Sequence, residues 1–354
     1  MDDVNSTSES SQSDVPVNGH TVFLYVLYGI AFIVGTIGNS LVILAVLLSK
    51  KLRTTTNAFV VNLSVADLLT CLVLSVNVAL GALDKRALMV SGRPWEWDGY
   101  GLGFILLTTL GCSIITLMCI ALNRWLLITR PLTTYRNVYT PRKIAVYLVC
   151  AWVIPLVFTF IVVLRLMTRH VSVAFAIAMF PIPLILIIAC YVLIWRRINR
   201  QVRSMACSSP TPEELTTHIP TKTQLDDNPG PSDSTQPRSQ PALTTGNDQL
   251  SRHQVQITKN MCYVVCAFVL CVGPYAVFLC LQLINLKLKI GTEYAFTVLL
   301  CNSCINPLIY ATKHRDFKTV FRCIVRRQWD DIPEPSDVLK ALRRSKCCGR
   351  SNNA

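Results

Sequence analysis

One acidic side chain lies deep within a long apolar stretch, and its position suggests chemistry more strongly than that of any other residue. This residue is Asp67, in the segment Asn62-Leu63-Ser64-Val65-Ala66-Asp67-Leu68-Leu69. A charged group in the centre of a bilayer costs about 2.5–3.5 kcal/mol on insertion scales, and such residues generally serve function. We therefore expect Asp67 to face the interior of a helical bundle, where polar partners shelter it.

Polar residues in other apolar stretches are the candidate partners of Asp67. They are Asn39, Ser113, Asn302, Ser303 and Asn306. A carboxylate among hydroxyl and amide oxygens suits a hard cation. The sequence predicts an allosteric sodium site at Asp67, Ser113, Asn302 and Ser303, with no other cofactor. A hydrogen-bonded structural network without an ion is the alternative.

Prolines inside apolar stretches are a second signal. Pro155, Pro183, Pro274 and Pro307 each lack a backbone donor, so each bends the helix that contains it. A bent helix over a buried polar network could shift between two packings. Since prolines are common in membrane helices, these four residues indicate such a shift only in combination with the buried Asp67.

Composition predicts that membrane-spanning helices position these residues. The chain of 354 residues is 52% hydrophobic and 15% charged, whereas soluble domains carry roughly 25% charged residues. No charged residue occurs from Val22 to Ser49, and that is longer than the roughly 20 residues a span needs. Seven apolar stretches predict an all-α membrane protein with a seven-transmembrane helix bundle; they lie near 22–49, 57–80, 100–128, 144–164, 172–195, 259–285 and 293–311.

Charge placement predicts the topology. Lys and Arg follow the first and third stretches and are frequent over 313–350, while residues 1–49 contain neither. The positive-inside rule then puts the N-terminus outside and the C-terminus in the cytoplasm. We expect an extracellular tail over 1–21 with a glycosylation acceptor at Asn5. A seven-transmembrane domain follows over 22–312 and includes a disordered cytoplasmic loop at 199–255, and a cytoplasmic segment covers 313–354.

Other classes of protein fit these patterns less well. The net charge of +14 lies beside the spans and lacks a nucleic-acid-binding motif, so no nucleic-acid partner is expected. Most of the 15 cysteines fall in apolar stretches, where they suit packing. An intramembrane enzyme is not expected, because all five histidines lie outside the spans or at their margins. A multi-pass transporter or channel is the alternative function, although a single buried acid fits it poorly.

Motifs in all seven stretches resemble those of rhodopsin-like G-protein-coupled receptors. Their order and spacing also match, and this co-occurrence is more specific than any one motif. The matching residues are Gly38-Asn39, Leu63 to Asp67, Asn123-Arg124-Trp125, Arg130-Pro131-Leu132, Trp152, Pro183, Tyr191, Phe268, Cys271, Pro274, Asn306-Pro307-Leu308-Ile309-Tyr310 and Phe317. Within that family, Lys51-Leu52-Arg53 and Ile120 to Trp125 look most similar to the melatonin-receptor and Moody/Trapped-in-endoderm neighbourhood.

The resemblance implies a plasma-membrane receptor that senses an extracellular ligand and activates a heterotrimeric G protein, with arrestin and a receptor kinase as further partners. Coupling and switching would involve Asn123, Arg124, Tyr191, Pro274, Asn306, Pro307 and Tyr310. Phe317 would start a short amphipathic eighth helix on the membrane lipids, with Phe321 and Ile324 on its apolar side. Cys323, or the pair Cys347 and Cys348, would be palmitoylated.

The chain departs from the family pattern at four places. Asn123 replaces the usual Asp, which removes a restraint on Arg124 and implies higher basal activity. Val272 replaces the usual Trp before the bend proline. Gly99 replaces an outer cysteine, and the short loop over 165–171 contains no cysteine either. A real loss of the outer disulfide explains both of these changes, whereas a faulty gene model would explain only the short loop.

The resemblance also predicts the ligand pocket. The anchoring Asp of amine receptors would fall at Leu106 and a retinal-binding Lys at Leu300, so neither ligand class is expected. The apolar pocket favours a lipophilic or amphipathic small molecule, with Arg165, Arg169 and His170 at the rim for an anionic group. Snorkelling of these arginines to headgroups is the alternative. The expected lining comprises Leu106, Leu107, Leu110, Phe175, Met179, Tyr275, Leu279 and Phe296.

Overall fold

The computed structural model describes residues 19–83, 100–163, 177–207, 263–281 and 289–351. This part contains seven helices that are long and apolar enough to cross a membrane, which confirms the predicted fold class. Here they are called the first to the seventh span. Their helices cover Gly19–Leu48, Thr55–Leu83, Tyr100–Thr129, Pro141–Val163, Pro181–Cys207, Tyr263–Leu281 and Lys289–Lys313.

The fifth span differs most from the predicted boundaries. Its helix continues to Cys207, so the expectation of a disordered loop beginning at 199 is wrong for residues 199–207. The added turns have the sequence Asn199-Arg200-Gln201-Val202-Arg203-Ser204-Met205-Ala206-Cys207. Most of these residues are good helix formers, and the first proline comes only at Pro210. The remainder of the predicted loop, 208–255, lies outside the described residues.

Burial separates central spans from peripheral ones. The second and third spans are the most buried, whereas the first and fourth are the most exposed. The exposed positions of the first span are large and apolar, among them Ile30, Ile33 and Ile37. Such a surface suits lipid, because lipid tails are as apolar as these side chains. The functional side chains are therefore expected on the inward faces of the second, third and seventh spans.

Small residues allow close contacts between spans. A Cβ atom added to Gly111 in the third span would lie 2.6 Å from Cβ of Pro155 in the fourth span. The same atom would lie 3.0 Å from Cε of Met179. Glycine at position 111 thus lets the third span approach the proline bend of the fourth.

In the described part of the chain, three short α-helices lie outside the spans. A loop helix over Leu132–Val138 follows the third span, and a membrane-face helix over Arg315–Val325 follows the seventh. A C-terminal helix covers Asp337–Ser351. The first and the last of these were not predicted from the sequence.

The membrane-face helix is amphipathic, as expected, but its apolar side does not face lipid. Phe317, Val320, Phe321 and Ile324 are all buried by the protein itself. Its exposed side carries Arg315 and other basic residues. The expectation that Phe321 and Ile324 would lie on the membrane is therefore corrected, because the chain supplies its own apolar cover.

Cys323 on the membrane-face helix is also buried, with 7% of its surface exposed. A palmitoyl chain needs an accessible thiol, so this position does not fit the expected modification. The helix geometry explains the burial, because Cys323 lies beside the inward-facing residues Ile324 and Val320. Cys347 and Cys348 lie within the C-terminal helix, but their side chains are outside the described set.

The segment after the membrane-face helix docks on the turn that follows the first span. Ser49 pairs with Pro335 in an antiparallel bridge. The Lys50 amide donates to the Glu334 carbonyl at 2.7 Å, and the Ser336 amide donates to the Leu48 carbonyl at 2.8 Å. These contacts attach the start of the expected basic tail to the end of the first span.

Ion pairs add to this docking. Lys50 Nζ lies 2.8 Å from a carboxylate oxygen of Asp337, and Lys51 Nζ lies 3.0 Å from one of Asp316. The hydrogen bond from Lys50 lowers the pKa of Asp337 below its ordinary value. The contribution of the Asp337 carboxylate to the stability of the fold is therefore complete above the pKa of Asp in the unfolded chain, near 4. It is lost only as the pH falls through the lower pKa of Asp337 in the folded chain. Asp337 is exposed, so the pair contributes little to stability.

Candidate functional site

The carboxylate of Asp67 is fully buried and accepts hydrogen bonds from two other spans. Ser113 Oγ of the third span donates to Asp67 Oδ1 at 2.8 Å. Ser303 Oγ of the seventh span donates to the same oxygen at 3.0 Å, and Asn306 Nδ2 donates to Oδ2 at 2.9 Å. Both carboxylate oxygens are thus satisfied, and the second, third and seventh spans are joined at one point.

The first span joins the same network through Asn39. Its Nδ2 donates to the backbone carbonyls of Gly35 and Ser303, each at 2.9 Å. The Ser303 residue therefore links Asn39 to Asp67. Four spans share this buried polar network, defined here as the Asp67 network: Asn39, Asp67, Ser113, Ser303 and Asn306.

The predicted sodium ligands are only partly assembled around the carboxylate. Ser113 and Ser303 contact Asp67 directly. Asn302 is buried one turn before Asn306, but the amide that reaches Asp67 belongs to Asn306. The buried Oδ1 atoms of Asn39 and Asn306 have no hydrogen-bond partner in the described part of the chain. These hard oxygen atoms suit a sodium ion, and the ion itself stays a prediction.

A second polar cluster connects the second, third and fourth spans. Asn62 Nδ2 donates to Thr116 Oγ1 at 2.8 Å, and Trp152 Nε1 donates to Asn62 Oδ1 at 2.9 Å. The sequence motifs include Trp152, whereas the roles of Asn62 and Thr116 were missed. Their only signal is that each is a polar residue within an apolar stretch.

Arg124 lies near the C-terminal end of the third span with only 6% of its surface exposed. Its Nε atom is buried and has no hydrogen-bond partner in the described part of the chain. Tyr191, Tyr135 and Tyr310 lie close enough to interact with its charge. Three of the predicted coupling residues, Arg124, Tyr191 and Tyr310, are therefore brought together.

Asn123 has partners other than Arg124. Its Oδ1 accepts a hydrogen bond from Thr56 Oγ1 at 3.0 Å, and its Nδ2 donates to the Tyr135 hydroxyl at 3.2 Å. Asn123 thus connects the third span to the second span and to the loop helix. Thr56 and Tyr135 were not predicted from the sequence.

The expected ligand pocket is largely filled by its own side chains. Leu106, Leu110, Met179, Tyr275 and Leu279 are buried. Leu107 and Phe296 are partly buried, whereas Phe175, Arg165, Arg169 and His170 lie outside the described residues. The Tyr275 ring packs against Phe180 and Phe296, with centroids 5.2 Å and 6.0 Å away. Phe180 was missed, because a single aromatic residue in an apolar stretch gives no specific signal.

The remaining predicted residues fall in different surroundings. Pro274 is exposed on the outside of the sixth span, while Val272 and Phe268 are fully buried. Pro307 is buried between the seventh and first spans. Asn5, Gly99 and the loop over 165–171 lie outside the described residues.

The chain matches a family model described as 7 transmembrane receptor (rhodopsin family) over residues 38–310. It is 28% identical to the octopamine receptor beta-1R of Drosophila melanogaster, covering 89% of this chain and 64% of that receptor. It is 28% identical to the mouse alpha-1D adrenergic receptor, covering 90% of this chain and 61% of that receptor. The galanin receptor 2b of Danio rerio is 27% identical, with 91% and 80% covered. The chain thus spans less than two thirds of the first two relatives.

Gly38 next to the Asp67 network offers a test of its packing. An added Cβ would lie 2.6 Å from Cβ of Pro307, so Gly38→Ala should push the first and seventh spans apart. Overpacking of this kind costs about 1–3 kcal/mol. We expect a lower thermal midpoint for the purified chain in detergent.

Gly29→Ala is the matched control, because an added Cβ there meets nothing within 4 Å in the same span. Its thermal midpoint should equal or slightly exceed that of the unchanged chain, since alanine favours helix over glycine. Equal effects of the two substitutions would show that the close approach of Gly38 and Pro307 is wrong.

Proposed function

This chain belongs to the rhodopsin family of seven-transmembrane receptors, and on that basis we propose that it binds an extracellular ligand and catalyses nucleotide exchange on a heterotrimeric G protein. Family membership disfavours the transporter or channel, and the similar proteins named above are receptors rather than enzymes. The observation that carries the proposal is the buried Arg124 among Tyr191 and Tyr310.

The Asp67 network supplies the element that would change between two states. Asn306 binds Asp67 directly before Pro307, and Tyr310 lies one turn further toward the cytoplasm. A ligand that shifts the outer ends of the spans would alter this network and move Tyr310 relative to Arg124. Only a ligand that binds one packing better than the other can produce such a shift.

The membrane orientation is part of the same proposal. The N-terminus is extracellular and the basic C-terminal segment cytoplasmic, as the placement of Lys and Arg favours. The cell compartment is the plasma membrane. The same orientation places a glycan on Asn5 outside the cell. It places palmitoyl chains on Cys347 and Cys348, and contacts with arrestin and a receptor kinase, on the cytoplasmic side.

Arg124→Ala tests the coupling role. The substitution removes the cation that we place at the G-protein contact. Ligand-independent nucleotide exchange, measured on purified G proteins with receptor-containing membranes, should fall to the rate of receptor-free membranes. Basal activity is a suitable readout, because Asn123 supplies no carboxylate to restrain Arg124.

Arg142→Ala is the control for this experiment, since Arg142 is an exposed cytoplasmic arginine at the start of the fourth span. It should retain exchange activity at equal amounts of receptor. Full activity of Arg124→Ala would contradict the proposed role, as would an equal loss in both variants.

The lining residues support a lipophilic or amphipathic ligand for this receptor. Leu106, Leu110 and Leu279 are apolar and buried, as is Tyr275. Two of the relatives are named for octopamine and adrenergic ligands. Leu106 carries no charge for an amine, so we propose that this chain differs from those relatives in ligand class.

A screen against three ligand classes tests this part of the proposal. G-protein activation sensors in cells should respond to members of a lipid library, because an apolar pocket gains most from burying apolar ligand surface. Biogenic amines and charged peptides should leave the signal at its basal level. Activation by charged peptides or amines, with no response to lipids, would contradict the lipophilic assignment while leaving the receptor assignment intact.

A further inference from the structure

The C-terminal helix exposes an apolar pair on one flank of its outer side and a basic pair on the other flank. Val338 and Leu342 are 51% and 54% exposed, and they are four residues apart on one face. Lys340 and Arg344 are exposed and also four residues apart. These four residues are called the tail edge. The opposite side is attached to the protein through Leu339, which is 2% exposed.

The helix begins at the level where the first span leaves the membrane. The Ser336 amide donates to the carbonyl of Leu48, the last residue of that span. Ser49 Oγ donates to the Pro333 carbonyl at 2.6 Å, which fixes the approach to the helix. Leu47, the preceding residue of the first span, is 50% exposed and apolar. The tail edge therefore starts beside the boundary between acyl chains and headgroups.

The membrane-face helix does not offer an equivalent apolar surface. Of its large apolar residues, Phe317, Val320, Phe321 and Ile324 are buried by the protein, and only Val325 at its C-terminal end is exposed, at 70%. The bulky apolar residues that remain exposed after residue 325 in the described part of the chain are Val338 and Leu342. Contact between this segment and lipid is thus expected at the tail edge.

The charges near the tail edge favour an anionic partner. Asp337 is the single acidic residue of the C-terminal helix, and it pairs with Lys50. Asp330 pairs with Arg343 on the protein-facing side. Within their own helix, Lys340 and Arg344 therefore have Asp337 as their one acidic neighbour. Asp337 is already paired with Lys50.

We propose that the C-terminal helix is a second membrane-face helix, which binds the anionic phospholipid surface of the cytoplasmic leaflet. Val338 and Leu342 insert among the upper acyl chains, while Lys340 and Arg344 contact phosphate and carboxylate headgroups. Basic residues near an anionic leaflet and a small apolar insertion reinforce one another. The docking of 333–336 on 48–50 holds the helix at this depth.

Backbone hydrogen exchange of the full-length chain in lipid nanodiscs tests the proposal. Amides of residues 338–344 should exchange roughly fivefold or more slowly in nanodiscs containing phosphatidylserine than in phosphatidylcholine alone. Lys340→Glu/Arg344→Glu should abolish the dependence on phosphatidylserine. Val338→Ser/Leu342→Ser should speed exchange in both kinds of nanodisc.

Lys318→Glu/Arg322→Glu is the matched control, because Lys318 and Arg322 are exposed and four residues apart on the membrane-face helix. It should leave exchange of 338–344 unchanged. The amides of Lys50 and Ser336 report on docking and should stay protected in every variant, since all the substituted residues are exposed.

Three results would overturn the proposal. One is exchange that does not differ between the two lipid compositions. Another is an equal loss of the dependence on phosphatidylserine in Lys318→Glu/Arg322→Glu, which would indicate a general effect of charge. The third is equal protection by soluble glycerophosphoserine added to phosphatidylcholine nanodiscs, which would indicate headgroup binding without a membrane surface.

Discussion

A carboxylate with no access to water must be satisfied by the protein around it, and Asp67 imposes that demand on the centre of this bundle. Burial of such a group is costly, and a partner that is missing leaves the penalty uncompensated. Three donors from the third and seventh spans meet the demand within 3.0 Å. Their positions fix the register of the second, third and seventh spans at once.

Other features follow from that register. Asn39 reaches the Ser303 carbonyl only because Gly38 lets the first span approach Pro307. Tyr310 lies one helical turn beyond Asn306, and it is buried next to Arg124. A change at the Asp67 network would thus be transmitted along the seventh span as a rigid element. This connection links the Asp67 network to Arg124.

The sequence predicted the parts of the molecule that the membrane constrains most strongly. Span positions follow from hydropathy, and the partners of Asp67 follow because few polar groups occur at its depth. The docking of Ser336 on Leu48 was not predictable, because it joins residues 288 positions apart through backbone groups. Ile332 and Leu339 are also buried, but Ile332 lies among Asp330, Asp331 and Glu334, so no periodic apolar pattern predicted its burial. The packing of Phe180 on Tyr275 was likewise hidden among many apolar residues.

The most direct test of the account measures whether Ser113 and Ser303 act on one carboxylate oxygen. Unfolding free energies in detergent would be compared for Ser113→Ala, Ser303→Ala and the double variant. Loss of the second donor leaves Oδ1 of Asp67 bare, so the double variant should lose more stability than the two single losses together, by about 0.5–3 kcal/mol. Losses that add to within about 0.3–0.5 kcal/mol would show that the two hydroxyls are independent, and the shared network would be wrong.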